Sequence, residues 1–336
     1  MNPSDHGMPP IALLQLLEGG IVEPDATSRF WAIMDREGVD LRLMVARGDQ
    51  VPLRWFHEVY PHLDVGRATA LGVTFAEEAQ LTTVGSLSIP LISAGSVADV
   101  VELLTYAPVI TTALSTQFHP SERGLMVGLS GHTNDPVLDC LAVAYGGYVV
   151  LRLLDILTGK LPDVTLNLSW SAPPSMTGSR QVAEGRIRFG APTSYLQIPT
   201  DTLEKVCRFS DPVTYRVSVD NLKRVLADRT EGATVADRVR RLVERNLAGA
   251  TTGSVALDLS MSVSTLKRRL SDEGTSFSEL RQALLRARAT LLLLDRGHSV
   301  SEIAADLGYS DVANFSHAFK RWTGRSPRDF RSSGSP

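Results

Sequence analysis

Ser264, Lys267 and Arg268 stand on one short segment near the carboxyl end, and Val312, Ala313, Asn314, His317, Lys320 and Arg321 on a second. These residue types suit the edges of stacked bases. Lys or Arg donates to guanine O6 and N7, an Asn amide pairs bidentately with adenine, and Val or Ala can touch a thymine methyl. Lys320 and Arg321, together with Arg269 and Arg325, are placed better for phosphate oxygens, which orient a protein without reading sequence. The chemistry is non-covalent readout of a duplex rather than bond-making.

Other chemistry is poorly supplied. There is no phosphate-binding glycine loop and no dinucleotide fingerprint. Gly128-Leu129-Ser130-Gly131-His132 looks like a nucleophile elbow but lacks its spacing. His57 and His62 are five apart, and His119 and His132 fall on opposite sides of an expected hairpin. A metal needs three or four convergent ligands, and no carboxylate cluster accompanies these histidines. The expectation is a protein that is not an enzyme, with no cofactor and no metal.

Both candidate segments sit in the same local pattern. Val255-Ala256-Leu257-Asp258-Leu259-Ser260-Met261-Ser262 precedes a basic helix ending at Leu270, and Ile303-Ala304-Ala305-Asp306-Leu307-Gly308-Tyr309-Ser310 precedes a helix through Phe319 and Lys320. Helix, tight turn, helix is the layout of a helix-turn-helix reader. Such a unit wants a small residue where the helices cross and a residue tolerant of positive φ at the turn. Ala304 and Gly308 meet both needs. Ala256 meets the first, but Ser260 at the turn should cost up to about 1 kcal/mol. Leu266, Leu270, Phe315 and Phe319 should face inward, which turns the candidate contact residues outward. Ser299 with Glu302, and Ser276 with Glu279, spell capping boxes. The second opens a connecting helix expected to run to Leu294, with Gly297 stopping it. Its ~18 residues at ~1.5 Å each span ~27 Å, close to the ~34 Å turn of a duplex. Gly274 and Gly324 should stop the two reading helices.

The remainder mixes periodicities. Residues 11–17, 25–34, 52–60 and 97–106 read as helices, the last capped by Ser96. Residues 109–118 and 125–130 read as a hairpin about the turn-forming residues 119–124. A long, largely apolar helix follows over 136–157, with Asp139, Arg152 and Asp155 among its few charged positions, so most of its circumference should be buried. Residues 164–170 alternate as a strand, 186–189 and 195–198 suggest a further strand pair, and 220–229 a helix. The expected fold is an α+β N-terminal sensor domain, helices plus antiparallel sheet, over residues 11–229. A linker over 230–236 leads to an all-α C-terminal domain over 237–332, with two helix-turn-helix units joined by a linker helix. A ligand, if the first domain takes one, belongs between the long helix and the sheet, with Val137, Leu141, Tyr145, Tyr148 and Trp170 as candidate lining. The competing reading makes these five plain core.

The bulk properties fit such a division. The 336 residues are 43% hydrophobic and 21% charged, enough for ordinary globular cores. The net charge of −3 hides an asymmetry: from Asp237 onward there are 16 Lys and Arg against 11 Asp and Glu, a net of +5, while the preceding residues carry 18 against 26, a net of −8. A basic tail on an acidic body suits phosphate attraction at one end. Only Cys140 and Cys207 are present, so neither a disulfide framework nor a thiolate metal site is indicated. The first ten residues lack a basic stretch ahead of an apolar one, and no uninterrupted apolar run approaches ~18 residues, so neither a secretory leader nor a membrane span is expected. The expected location is the cytoplasm.

The closing stretch from Ala313 to Arg331 resembles the signature of the AraC/XylS family of transcriptional regulators. The specific parts are Phe319-Lys320, Gly324-Arg325-Ser326-Pro327 and Phe330-Arg331. By that resemblance the outward residues named above match the family's base-contacting positions. Two departures are the connection Asp272-Glu273-Gly274-Thr275, one residue shorter than in many members, and Ser260 in place of the usual turn glycine. The body, with Ile187-Arg188-Phe189-Gly190-Ala191-Pro192 after the long helix, is similar to the arabinose-binding-type domain of ornithine-regulator-like members. The resemblance implies effector sensing and homodimerisation, without fixing a sugar as the ligand. The partners implied are double-stranded promoter DNA, a small apolar or amphipathic effector, a second copy of the chain and RNA polymerase, with no membrane. Two rival readings stay open: a regulator whose body is a ligand-free interaction module, and an enzyme whose tail autoregulates it.

Overall fold

The computed structural model describes residues 6–161, 163–232, 234–295 and 297–333. Positions 1–5, at the start of the segment read for a leader, and Ala233, within the expected linker, lie outside the described residues. The chain divides into two compact units, Met1–Arg229 and Thr230–Pro336.

In the first unit, small residues let two helices meet closely. Val65–Glu77 lies along the long helix Pro136–Thr158. A Cβ on Gly72 would fall 2.9 Å from the Leu141 carbonyl oxygen and 3.0 Å from the Tyr145 nitrogen, so only glycine permits this crossing. Asp64 and Asp135 cap the two helices by accepting backbone N–H groups at 2.8 Å. Around them, helices Pro10–Glu18, Pro24–Glu37, Leu41–Arg47 and Trp55–Val59 bury Leu13, Phe30, Trp55 and Phe56. Strands β1 (Gly7–Met8) and β2 (Val51–Pro52) tie the chain start to this helical front.

The sheet covers another part of the long helix. It holds β3 (Leu114–Ser121), β4 (Gly124–Gly131), β5 (Thr165–Asn167), β6 (Ile187–Arg188) and β7 (Tyr195–Pro199), in the order β3-β4-β7-β5-β6. The expected hairpin is present, but its first strand starts at Leu114, because Leu103–Val109 winds as a 3-10 helix. The expected pairing of 186–189 with 195–198 is corrected. β5 lies between β6 and β7, parallel to the first and antiparallel to the second. Arg186, buried beside this junction, bonds to Asp155 at 3.1 Å and holds the end of the long helix to the strand.

The long helix also corrects the reading of apolar runs. By length and composition it could cross a membrane. Its scattered charges hide that from a search for uninterrupted runs. In this fold more than half of its most apolar stretch is buried inside the protein. The helix expected at 220–229 is longer, Pro212–Gly232.

The second unit is all helix. Val235–Arg245 opens it and buries Val239 and Val243, with Leu242 and Leu247 partly buried against the same core. The connecting helix runs Phe277–Leu294. Its Leu280 and Leu284 belong to a core with Val255, Leu266 and Leu270, while its Leu285, Ala289, Leu292 and Leu293 belong to a second core with Ile303, Phe315 and Phe319.

Candidate functional site

The duplicated pattern folds as two equivalent turns. Helix Thr252–Asp258 ends with Ser260 N–H donating to the Leu257 carbonyl at 2.9 Å and Met261 N–H to Ala256 at 2.8 Å. Helix Val300–Asp306 ends with Gly308 N–H donating to Ala305 at 3.0 Å and Tyr309 N–H to Ala304 at 2.9 Å. Both are Schellman closures, which require a left-handed residue after the cap. Ser260 and Gly308 adopt φ of 53° and 81°.

The reading helices start from different caps. Val263–Asp272 begins at Ser262, whose hydroxyl accepts from Thr265 N–H at 3.1 Å. Val312–Thr323 begins at Asp311, whose carboxylate accepts from Asn314 N–H at 2.7 Å. This bond, with those from Ser310, Ala313 and the Asn314 amide, holds the Asp311 carboxyl below the usual carboxylate range. The second turn carries one more residue before its cap, Ser310, than the first does. The short connection after the first reading helix closes through Thr275 N–H to the Leu270 carbonyl at 2.9 Å. Its Glu273 carboxylate accepts from Val235 N–H at 2.9 Å and Ala236 N–H at 2.7 Å, capping the unit's opening helix.

Leu266, Leu270, Phe315 and Phe319 are sealed in the cores. Ser264, Lys267, Arg268, Val312, Ala313, Asn314, His317, Lys320 and Arg321 are all exposed. Among the described residues no carboxylate forms an ion pair with Lys267, Arg268, Lys320 or Arg321, so these charges stay free to meet an anion. Asn314 is partly engaged. Its amide donates to Asp311 at 2.7 Å and to Ser310 at 3.2 Å, leaving its oxygen open.

The first unit holds an apolar cavity of about 120 Å³. Leu141, Tyr145, Val149 and Leu153 on the long helix form one wall, facing Phe56 and Leu87 among others. Of the five expected lining residues, Leu141 and Tyr145 are there and Val137, Tyr148 and Trp170 are not. At ~100° per residue the wall centres near Ala142 and Val149, which puts Val137 and Tyr148 more than ~100° away. Trp170 instead donates its indole N–H to Thr69 at 2.9 Å. The stripe at four-residue spacing, 141-145-149-153, was the available signal. The opposite walls come from distant helices and carry no local signal.

Two helix-turn-helix units on one connecting helix, following an α+β domain in the sequence, define the class. Residues 255–333 match a helix-turn-helix domain, and residues 32–206 match the arabinose-binding domain of AraC transcription regulator, N-term. The chain belongs to the AraC family. It is 28% identical over 172 residues to the ornithine utilization regulator of Pseudomonas aeruginosa, covering 51% of each chain. It is 44% identical over 75 residues to the regulator VqsM of the same organism, covering 22% of this chain and 23% of that one. The matches thus span about half the length of these curated relatives, or less. The crystal structure of the transcriptional regulator CdpR from P. aeruginosa aligns over 93% of this chain and 99% of its own, with 21% identity and a TM-score of 0.39.

Proposed function

We propose that this chain is a sequence-specific DNA-binding transcriptional regulator whose N-terminal unit senses a small-molecule effector. The two reading helices enter successive major grooves on one face of promoter DNA. Ser264, Lys267, Arg268, Val312, Ala313, Asn314 and His317 meet base edges, and Lys320 and Arg321 meet phosphates. The observation that carries this reading is the exposure of all nine residues on two equivalent turn-helix frames. The basic balance of the tail supports it as well.

The chain acts as a homodimer through its N-terminal unit. Support comes from Val206, Phe209, Val213 and Val217, apolar residues that stand more than half exposed at and before the start of helix Pro212–Gly232. The sensing role is supported by the apolar cavity and by the arabinose-binding-type match. An effector acts only through its different affinity for two states of the protein.

The test is footprinting of the full chain on genomic fragments, followed by titration of salt. Protection of two adjacent segments on one face, with affinity falling steeply as salt rises, is the expected result. Equal affinity for every fragment would overturn sequence reading.

A further inference from the structure

We propose that the cavity in the N-terminal unit binds a neutral, largely apolar molecule of about the size of a benzene ring, carrying one oxygen that meets the Tyr145 hydroxyl. The inference rests on the reading of this unit as an effector sensor and names the effector's chemical class.

Volume sets the size. An apolar cavity of ~150 Å³ stays dry and binds benzene, and this one measures about 120 Å³. Lining sets the polarity. No charged side chain faces the cavity among the described residues, and its polar side chains are Thr83, Thr111, Thr116 and Tyr145. Three of these are already engaged. The Thr83 hydroxyl donates to Gln15 at 2.7 Å and accepts from Gln80 N–H at 2.8 Å. Thr111 donates to the Gly7 carbonyl at 2.7 Å and accepts from Ala113 N–H at 3.1 Å. Thr116 donates to the Leu104 carbonyl at 3.3 Å.

Tyr145 is different. Among the described residues its hydroxyl has no hydrogen-bond partner, and burial pushes its phenol well above the ordinary value, so it stays neutral. Tyr145 is only partly buried, so its hydroxyl keeps room for a partner, and as both donor and acceptor it can be satisfied by a ligand oxygen in reach. A sugar would leave several hydroxyls unmet in this lining. A zwitterionic amino acid or a carboxylate would lose its hydration with no charge to replace it. The cavity therefore argues against arabinose or ornithine, the compounds in the names of the matched domain and relative.

The experiment titrates the full chain with phenol, its isostere toluene, benzoate and L-arabinose, read by calorimetry and by thermal shift. Phenol is expected to bind saturably and raise the melting temperature, with toluene about three- to tenfold weaker and no heat from benzoate or arabinose. Tyr145→Phe should bring phenol to the level of toluene. Ala142→Leu fills the cavity and should abolish both. Benzoate or arabinose binding as tightly as phenol would overturn the proposal, as would a phenol affinity unchanged by Tyr145→Phe or by a folded Ala142→Leu. Absence of any phenol binding would do the same. DNA affinity measured with and without each probe separates the two readings. Phenol bound at Tyr145 with no change in DNA affinity sinks the sensor reading and spares the cavity site. A response to arabinose alone does the reverse.

Discussion

The two halves of the C-terminal unit close the same turn at different cost. The first puts Ser260 in the left-handed region, the second Gly308. The reason lies in what surrounds each. A Cβ on Gly308 would sit 2.9 Å from the Ala248 carbonyl oxygen and 3.0 Å from its Cα. That carbonyl is also held by the Arg281 guanidinium at 3.2 Å, so it cannot retreat easily. A side chain at the first turn costs only its backbone preference; at the second it also meets the main chain. The cores differ in kind as well. The first is aliphatic, built on Val239, Val243, Leu266 and Leu270, while the second centres on Phe315, Phe319 and Phe330 with Tyr309 and Trp322 beside them. A repeated pattern in sequence thus fixes backbone geometry without fixing the packing that tolerates or forbids change.

The sharpest test of that contrast is the core. Phe319→Ala should cost about 3–5 kcal/mol and Leu270→Ala about 2–5 kcal/mol, read as a lower urea midpoint of the C-terminal unit. A loss under about 1 kcal/mol at Phe319 would deny that the aromatic cluster holds its half together. Next comes recognition. Arg268→Ala should weaken specific binding by about 1–3 kcal/mol and relax one base position. Equal loss on random DNA would make Arg268 a phosphate contact. At the turns, Gly308→Ala should destabilise by more than about 1 kcal/mol, whereas Ser260→Gly should stabilise by up to about 1 kcal/mol. Urea midpoints that move equally at both positions would erase the distinction.

The smallest effect separates the caps. Hydrogen bonds from Asn314 N–H and its neighbours lower the Asp311 pKa. Its contribution is therefore complete above the unfolded value of ~3.9 and disappears as pH falls through the folded value. Ser262 has no such titration. Amide protection at Asn314 should fall only as pH drops below ~3.9, while that at Thr265 holds; parallel loss would contradict the difference.

What was legible in the sequence followed local rules. Ser299, Ser96 and the turn residues announce their helices because a cap or a positive φ is a property of a few consecutive residues. The connecting helix ends at Leu294 as the spacing predicts. Helix Val65–Glu77 gives a weak local signal because four of its six buried residues, Ala68, Thr69, Gly72 and Ala76, are small and give little apolar contrast beside Val73 and Phe75. The place of β5 between β6 and β7 depends on pairing across distant segments, which no local pattern encodes. The cavity was half visible for the same reason: the long helix shows its stripe, and the walls opposite belong to other parts of the chain.

The connecting helix lends Leu280 and Leu284 to one core and Leu285, Ala289, Leu292 and Leu293 to the other. Neither half can melt without stripping a wall from its neighbour. The pair should therefore lose structure in one concerted transition, and a truncation that keeps either half alone should leave a leucine-rich flank bare and prone to aggregate.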